Sequence, residues 1–219
     1  MNKTAKTVII DYGSGNLRSV FQALICKGTQ AVIVSDPSVI AENDTILIPG
    51  VSAFSSAMEN LNRLGFSEKI RGCASRKQRI IGICAGMQVL FEQGCEFGTT
   101  RGLGLLPGSC ESLENFAAPA EKYKVPVIGW KNVFKTKSAE HSLPASQVRL
   151  LTGYKYFAHS FYVKPERQSD CIATTDFAGQ QIPVAVKREN IFGFQFHPEK
   201  SAEKGLMLLN ACTANSYLD

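Results

Sequence analysis

Short apolar runs alternate with amphipathic stretches through residues 1–95. In one of these stretches Leu17, Val20 and Leu24 recur at the spacing of a single helix face. The apolar runs predict strands at residues 8–10, 31–34, 45–48 and 79–83, and the amphipathic stretches predict helices at 16–27, 53–64, 66–75 and 85–92. Because these strands are apolar throughout, we expect a parallel sheet that helices cover on both faces.

The second half of the chain changes character, because strand-like runs become its main feature. They lie at residues 125–133, 155–163, 170–177, 183–187 and 191–197, punctuated by Gly, Pro, Asn and Asp. This order favours antiparallel pairing, and residues 201–209 predict a closing helix. The sequence therefore predicts one α/β domain over residues 1–219, a mostly parallel sheet flanked by helices with an antiparallel extension in the C-terminal half.

Composition narrows the class of protein. The chain has 219 residues, 44% of them hydrophobic, and a chain of this length buries enough surface to fold without a disulfide or metal. Its apolar runs are far shorter than the ~18 residues of a membrane span, and the N-terminus lacks the apolar stretch of a signal peptide. The net charge of +5 comes with no basic stripe of interleaved aromatics, so we expect no nucleic-acid partner and no membrane partner.

The seven cysteines indicate a reducing compartment. Their number is odd and no Cys-x-x-Cys pair occurs, so we expect free thiols and a cytoplasmic location. The cysteines are scattered, and only three histidines accompany them, so we expect no metal site. We also expect no nucleotide cofactor, because Arg18 stands where a dinucleotide fingerprint beginning at Gly13 and Gly15 needs its third glycine.

The segment 82–86, Gly-Ile-Cys-Ala-Gly, carries the strongest chemical signal. Cys84 lies between an apolar strand and a predicted helix, and the flanking glycines leave room for a tight turn. Such a turn exposes the side chain at the carboxyl end of the sheet, as in the nucleophile elbow of serine hydrolases. The helix N-terminus favours a thiolate, and the N–H of Ala85 is available to an oxyanion. A buried structural cysteine is the alternative.

Two further segments suit the same chemistry. In the segment 197–199, His-Pro-Glu, the proline forbids a continuing helix, so we expect extended chain with His197 and Glu199 on one side. A histidine held by a carboxylate is the base that a cysteine nucleophile requires; a surface histidine before a proline turn is the alternative. Gly50 ends a strand before small residues, which suits a backbone that approaches a substrate closely, although a plain β-turn has the same composition.

These motifs resemble those of the class I, or triad-type, glutamine amidotransferases. More narrowly, the chain resembles the glutaminase subunits of imidazole glycerol phosphate synthases, over nearly its whole length. The stretches that carry the resemblance are residues 11–20, 49–54, 82–88, 129–130, 156–162 and 193–201.

The resemblance implies a mechanism in which the Cys84 thiolate attacks the side-chain amide carbon of glutamine. His197, positioned by Glu199, protonates the departing ammonia and then activates water against the thioester. Ammonia released into water at neutral pH would become ammonium, which is not nucleophilic. The resemblance therefore implies a synthase partner with an internal ammonia passage, most narrowly a cyclase subunit that forms a heterodimer with this chain.

The resemblance also implies roles for residues around this triad. The N–H groups facing the oxyanion are those of Gly50, Val51 and Ala85. The positions that match glutamine-binding residues are Gly50, Ser52, Gln88, Glu96, His159, Ser160 and Phe161, and those in partner-facing segments are Asn16, Trp130 and Lys200.

The chain departs from the usual family pattern in three segments. Ser52 stands where glycine is usual, Ala85 where leucine is frequent, and Val127 and Lys131 where histidine and asparagine are usual. The last two flank Trp130, which the resemblance places towards the partner. They leave open a paralogue that supplies ammonia to another synthase, such as one that amidates a bacterial surface sugar.

Two alternatives belong to other functional classes. A cysteine peptidase or γ-glutamyl hydrolase would share the elbow and the histidine, but Gln88 and the segment 49–54 argue against it. A non-catalytic regulatory subunit would typically have lost the nucleophile or the base, and this chain retains both.

Overall fold

The structure, a computed structural model, describes residues 5–116 and 123–213. Its strands are β1 (Thr7–Ile10), β2 (Ala31–Val34), β3 (Thr45–Ile48), β4 (Ile80–Ile83), β5 (Phe91–Gly94), β6 (Thr100–Arg101), β7 (Leu106–Ser112), β8 (Val127–Lys135), β9 (Gly153–His159), β10 (Phe161–Pro165), β11 (Cys171–Phe177), β12 (Gln180–Arg188) and β13 (Ile191–Phe194). Its α-helices are α1 (Leu17–Ile25), α2 (Phe54–Arg63), α3 (Phe66–Ser75), α4 (Ala85–Gln88), α5 (Lys137–Ser142), α6 (Ala145–Leu151) and α7 (Ala202–Thr213).

The larger sheet has nine strands in the order β2-β1-β3-β4-β13-β12-β11-β8-β9. The strands from β2 to β13 pair in parallel, and those from β13 to β9 pair antiparallel. The predicted α/β class is confirmed, with its parallel part and its antiparallel extension. Strand β13 joins the two parts, because it pairs in parallel with β4 and antiparallel with β12.

Alternate side chains of the parallel strands enter two different cores. Ile9 of β1 is fully buried in a core that includes residues of α1 and α7. Its neighbours Val8 and Ile10 are fully buried in the opposite core, with residues of α2 and α3. Burial on both faces is the reason that β1, β3 and β4 read as unbroken apolar runs.

A second sheet, with the order β10-β7-β5-β6, covers one of these cores and was not predicted. The predicted helix 85–92 is wrong in its second half, because α4 ends at Gln88 and β5 begins at Phe91. Every residue from 85 to 91 is buried, so the segment shows no polar face by which a helix could be told from a strand. Pairing of β5 with β7 decides its conformation.

The predicted strand 155–163 is two strands that belong to different sheets. Strand β9 ends at His159 in the larger sheet, and β10 begins at Phe161 in the smaller one. The turn 159–161 therefore crosses from one sheet to the other. Helices α5 and α6, between β8 and β9, were also not predicted, and the closing helix α7 extends to Thr213 rather than 209.

Within residues 5–116 and 123–213, no helix is both long enough and apolar enough to cross a bilayer.

Candidate active site

Cys84 occupies a strained turn between β4 and α4. Its backbone has φ 55 and ψ −115, a left-handed conformation that is costly for a residue with a side chain. Its N–H donates to the carbonyl of Phe194 at 2.7 Å, which ties the turn to β13. Glycines allow the close packing around it: a Cβ on Gly82 would lie 2.4 Å from the carbonyl oxygen of Gly86, and one on Gly86 would lie 1.8 Å from that of Ile48. The predicted elbow is therefore present.

His197 and Glu199 form a buried pair. Nδ1 of His197 lies 2.8 Å from Oε1 of Glu199, and the two side chains are only 4% and 1% exposed. The expectation of extended chain through both residues was wrong. Strand β13 ends at Phe194, and Pro198–Lys200 form a 3-10 turn that folds the carboxylate back onto the ring. Ser201 holds this turn, since its hydroxyl donates to the carbonyl of His197 at 2.6 Å.

The charges around His197 favour an imidazolium. Burial is the largest single influence and lowers the pKa of His197, but hydrogen bonds to Cys84 and Glu199 and their negative charges raise it to about 9. Because a carboxylate only accepts hydrogen bonds, Nδ1 carries a proton towards Glu199 and leaves Nε2 for Cys84. The arrangement places a proton donor, the imidazolium of His197, beside the sulfur of Cys84 at neutral pH.

The segment 49–52 packs directly against the elbow. A Cβ on Gly50 would lie 2.7 Å from the backbone nitrogen of Gly86 and 2.8 Å from the hydroxyl of Tyr12, so only glycine fits there. Tyr12 is fully buried and donates to the carbonyl of Pro49 at 2.6 Å. Burial raises the pKa of this phenol, which keeps it a donor. Gly50 and its neighbours are thus fixed beside the nucleophile.

Two of the predicted positions flank this contact. Ala85 is the first residue of α4, where backbone N–H groups lack intrahelical acceptors. Ser52 accepts a hydrogen bond from the hydroxyl of Ser14 at 2.8 Å, which links the segment 49–52 to the loop between β1 and α1. The exposed Val51 lies between Gly50 and Ser52. The N–H groups of Gly50, Val51 and Ala85 remain the predicted oxyanion donors.

Gln88 and the turn 159–161 lie together. Nε2 of Gln88 donates to the carbonyl of Phe161 at 3.4 Å, and the ring of His159 contacts the same carbonyl through Nδ1 at 2.8 Å. Burial lowers the pKa of His159 to about 4, so this ring is neutral at physiological pH. The carbonyl of Ser160 accepts from the backbone of Leu113 at 2.9 Å. The predicted glutamine-binding residues 88 and 159–161 therefore form one wall.

Glu96 has a structural contact that the sequence did not indicate. Its Oε2 accepts the backbone N–H of Phe54 at 2.6 Å, at the first residue of α2. A negative group at a helix N-terminus is stabilising, and here it fixes the chain directly after the segment 49–52. Binding of glutamine by Glu96 stays a prediction.

Gln195 is a site residue that the sequence analysis missed. It is fully buried, and its Nε2 lies 3.6 Å from Sγ of Cys84. The available signal was a single amide inside the apolar run 191–196, because a buried polar side chain needs a hydrogen-bond partner.

The residues in the partner-facing segments lie on the surface. Trp130 is 49% exposed, so it is not a core residue. Its ring packs edge-on against Tyr156, at 6.2 Å between centroids, and Nζ of Lys200 lies 5.9 Å from the centre of the same tyrosine ring. The carbonyl of Tyr156 accepts the N–H of His197, so this surface adjoins the triad. Asn16 is exposed and caps α1.

Val127 and Lys131 do not share that surface. Strand β8 pairs with β9 in continuous register, so residues 127 and 131 project from the face opposite to Ile128 and Trp130. Val127 is buried opposite His159. Lys131 is exposed, so both positions flank Trp130 along β8 while they lie on its other face.

The other six cysteines have different surroundings. All seven thiols are free. Burial raises the pKa of Cys171 to about 11 and of Cys212 to about 12, and it also raises the pKa of Cys73 and Cys110. Cys26 and Cys95 are exposed.

Comparison with known proteins agrees with this geometry. A family model described as glutamine amidotransferase class-I matches residues 8–213. The chain is 40% identical over 203 residues to the imidazole glycerol phosphate synthase subunit HisH of Chlorobaculum tepidum, covering 92% of this chain and 96% of that relative. It is 41% identical over 210 residues to the subunit of the same name in Aquifex aeolicus, covering 93% and 94%. Among solved structures, PurLQS from Thermotoga maritima has a TM-score of 0.70 at 17% identity over 95% of this chain and 98% of that one, which shows a common fold. The chain belongs to the class-I glutamine amidotransferase family.

Proposed function

We propose that this chain is the glutaminase subunit of an imidazole glycerol phosphate synthase, which acts in the cytoplasm in histidine biosynthesis. It hydrolyses glutamine to glutamate and ammonia and passes the ammonia to a cyclase subunit. The observation that carries the proposal is the Cys84 elbow with His197 and the buried Glu199 beside it. The HisH subunits at about 40% identity supply the pathway and the partner.

The proposed reaction gives each of these groups a role. The Cys84 thiolate attacks the amide carbon of glutamine, and the negative charge moves to the amide oxygen, which the N–H groups of Gly50, Val51 and Ala85 stabilise. The imidazolium of His197 gives its proton to the departing ammonia, and a thioester remains. The neutral ring then removes a proton from water, which attacks the thioester and releases glutamate and the thiolate. Glu199 holds the ring in its tautomer throughout.

The wall formed by Gln88 and the turn 159–161 is the proposed position of the glutamine backbone groups. Both N–H groups of the Gln88 side chain are engaged within the protein, so its carbonyl is the group available to a substrate donor. Ser52 and Glu96 are the other proposed glutamine-binding residues, and they lie in the segment 49–52 and against the start of α2.

The proposed partner surface is the β8–β9 face, defined by Ile128, Trp130, Tyr154 and Tyr156. The first three are large apolar side chains that stand exposed. A contiguous exposed apolar surface marks an interaction site, and aromatic residues are enriched in interface cores. Because this face adjoins the triad, a cyclase subunit bound there would receive ammonia close to its origin. Asn16 and Lys200 belong to the proposed edge of the interface.

The HisH relatives at about 40% identity favour a histidine-pathway partner over the paralogue alternative. Val127 and Lys131 flank Trp130 in the sequence, but they project from the other face of β8. We therefore propose a histidine-pathway cyclase as the partner.

The deciding experiment replaces the nucleophile. Cys84→Ala should abolish glutamine hydrolysis, while the complex with the cyclase should still form imidazole glycerol phosphate from added ammonium salts. Cys26→Ala removes an exposed thiol and is the matched control, which should keep both activities. Glutamine hydrolysis by the Cys84 variant at the wild-type rate would contradict the proposal. Turnover of γ-glutamyl peptides in place of glutamine would favour a γ-glutamyl hydrolase.

A further inference from the structure

Three side-chain hydrogen bonds connect a backbone carbonyl to the nucleophile. Nε2 of Gln88 donates to the carbonyl of Phe161 at 3.4 Å and to Oε1 of Gln195 at 3.1 Å. Nε2 of Gln195 then donates to Sγ of Cys84 at 3.6 Å. This series of hydrogen bonds links the proposed glutamine-binding wall to the sulfur atom of Cys84.

The carbonyl of Phe161 determines which group donates and which accepts in each of these hydrogen bonds. A backbone carbonyl only accepts hydrogen bonds, so Gln88 must turn its NH₂ group towards Phe161. The same NH₂ group faces Gln195, which must therefore present its oxygen to Gln88. The NH₂ group of Gln195 is left pointing at the sulfur of Cys84. Reversing Gln195 would bring two NH₂ groups together and place an oxygen against the thiolate.

Burial makes this contact consequential. Gln195 is fully buried and Gln88 nearly so, so water does not compete for either amide. An N–H group that donates to an ionised acceptor makes a stronger hydrogen bond than it makes to a neutral one. Gln195 and His197 are two residues apart after β13, and both contact Cys84. The sulfur therefore has two hydrogen-bond donors, His197 and Gln195, and the amide of Gln195 does not titrate.

We propose that Gln195 is a further catalytic residue, whose side-chain N–H stabilises and aims the Cys84 thiolate. Its part in turnover rests on the proposed glutaminase function, whereas the N–H···S contact itself does not. In the second half of the reaction, water adds to the thioester carbon and the C–S bond breaks. The electron pair returns to sulfur, and the N–H of Gln195 stabilises that leaving thiolate. Gln88 couples this donor to bound glutamine, because it holds Gln195 in the required orientation.

The test measures the reactivity of Cys84 without any substrate. Gln195→Met keeps the length of the side chain but has no N–H. The rate of alkylation of Cys84 by iodoacetamide is followed against pH by mass spectrometry of its peptide, with the exposed Cys26 as internal reference. The midpoint of the pH–rate profile should rise by about one to two pH units, the amount expected for a lost hydrogen bond to a charged group. In glutamine turnover, kcat should fall by about tenfold or more.

A matched control and a second variant separate this role from a structural one. Gln147 is also a buried glutamine, and its Nε2 donates to the carbonyl of Ala211 at 3.5 Å, outside the site. Gln147→Met should leave the Cys84 profile unchanged. Gln195→Glu keeps the shape and places a negative group beside the sulfur, so it should raise the midpoint at least as far as the methionine variant.

The outcomes separate the two proposals. An unchanged midpoint in both Gln195 variants, with wild-type melting temperatures, would overturn the role of Gln195 while glutaminase activity stands. A shifted midpoint in a chain that never hydrolyses glutamine would support the contact and overturn the glutaminase function. If one variant fails to fold, the other variant decides.

Discussion

Replacement of Glu199 by glutamine tests the electrostatics of the site directly. Glutamine keeps the volume of the side chain and can still accept a hydrogen bond from Nδ1 of His197, but it carries no charge. The two native side chains are buried, and their contact of 2.8 Å is charge-assisted. Burial lowers the pKa of His197, but Cys84 and Glu199 outweigh this effect and raise the pKa to about 9.

The size of the change follows from the strength of that contact. A hydrogen bond to a charged group contributes about 1.5–3 kcal/mol, and one pKa unit corresponds to about 1.4 kcal/mol. The pKa of His197 should therefore fall by about one to two units. Folding raises the pKa of His197 from 6.5 to about 9, so the folded protein binds this proton more tightly than the unfolded chain. The resulting stability is fully present below pH 6.5 and is lost as the pH rises through 9. The variant should therefore lose stability relative to wild type mainly at neutral and lower pH.

The assay is a histidine titration followed by NMR. The chain has only three histidines, and the exposed His141 of α5 serves as an internal reference because it lies outside the site. Glu203→Gln is the matched control, since it removes an exposed carboxylate that pairs with Lys27. Urea unfolding of wild type and variant at about pH 6 and about pH 9.5 measures the linked stability.

Two results would refute this reasoning. One is a His197 titration midpoint in the Glu199→Gln variant that equals the wild-type value. The other is a difference in unfolding free energy between variant and wild type that grows with pH instead of shrinking. Glutamine hydrolysis should also be slower in the Glu199 variant, but less impaired than after loss of the nucleophile, because the carboxylate orients and does not react.

Three further predictions follow from burial and close contact. Trp130→Ala should weaken assembly with the cyclase subunit by about 2 kcal/mol, measured by calorimetry. Because the ring is 49% exposed, the melting temperature should stay nearly unchanged. A large drop in melting temperature with unaltered binding would contradict this. Gly50→Ala places a Cβ 2.7 Å from the backbone nitrogen of Gly86, whereas Gly72→Ala meets only the end of a flexible side chain at 3.5 Å. The first should lower stability by about 1–3 kcal/mol and reduce glutamine hydrolysis, and equal rates for the two variants would argue against it. Burial lowers the pKa of His159 from 6.5 to about 4 in the folded protein. This shift contributes roughly 3 kcal/mol of folding stability, which is fully present above pH 6.5 and is lost as the pH falls through 4. His159→Asn should therefore flatten the acid side of the stability curve, and an unchanged curve in urea unfolding would refute the assignment.

The first half of the fold could be predicted because its signals are local. Strands β1 to β4 are apolar and short, and helices α1 to α3 carry one apolar face each, so their bounds agree with the pattern to within one or two residues. The elbow at Cys84 was predictable for the same reason: the glycines that the turn needs are its sequence neighbours. Local sterics alone require them.

The second sheet could not be predicted from the pattern. Residues 85–91 are buried on every side, so their hydrophobicity has no period, and a helix and a strand fit equally well. Pairing with β7 makes the segment that follows Gln88 a strand and not a helix. The run 155–163 likewise looks continuous, and only its division between two sheets places a turn at Ser160.

By itself the sequence predicted which residues carry the chemistry, since a candidate nucleophile, base and carboxylate are recognisable from their neighbours. The tertiary structure decided which of these groups touch. Gln195 lies 111 positions from Cys84, and Phe161 lies 73 positions from Gln88. A buried amide must find a partner, but the identity of that partner depends on which strand ends meet at the edge of the sheet. The side of β8 on which Val127 and Trp130 lie was decided in the same way, by the register of β8 against β9, because a shift of one residue exchanges the faces of a strand.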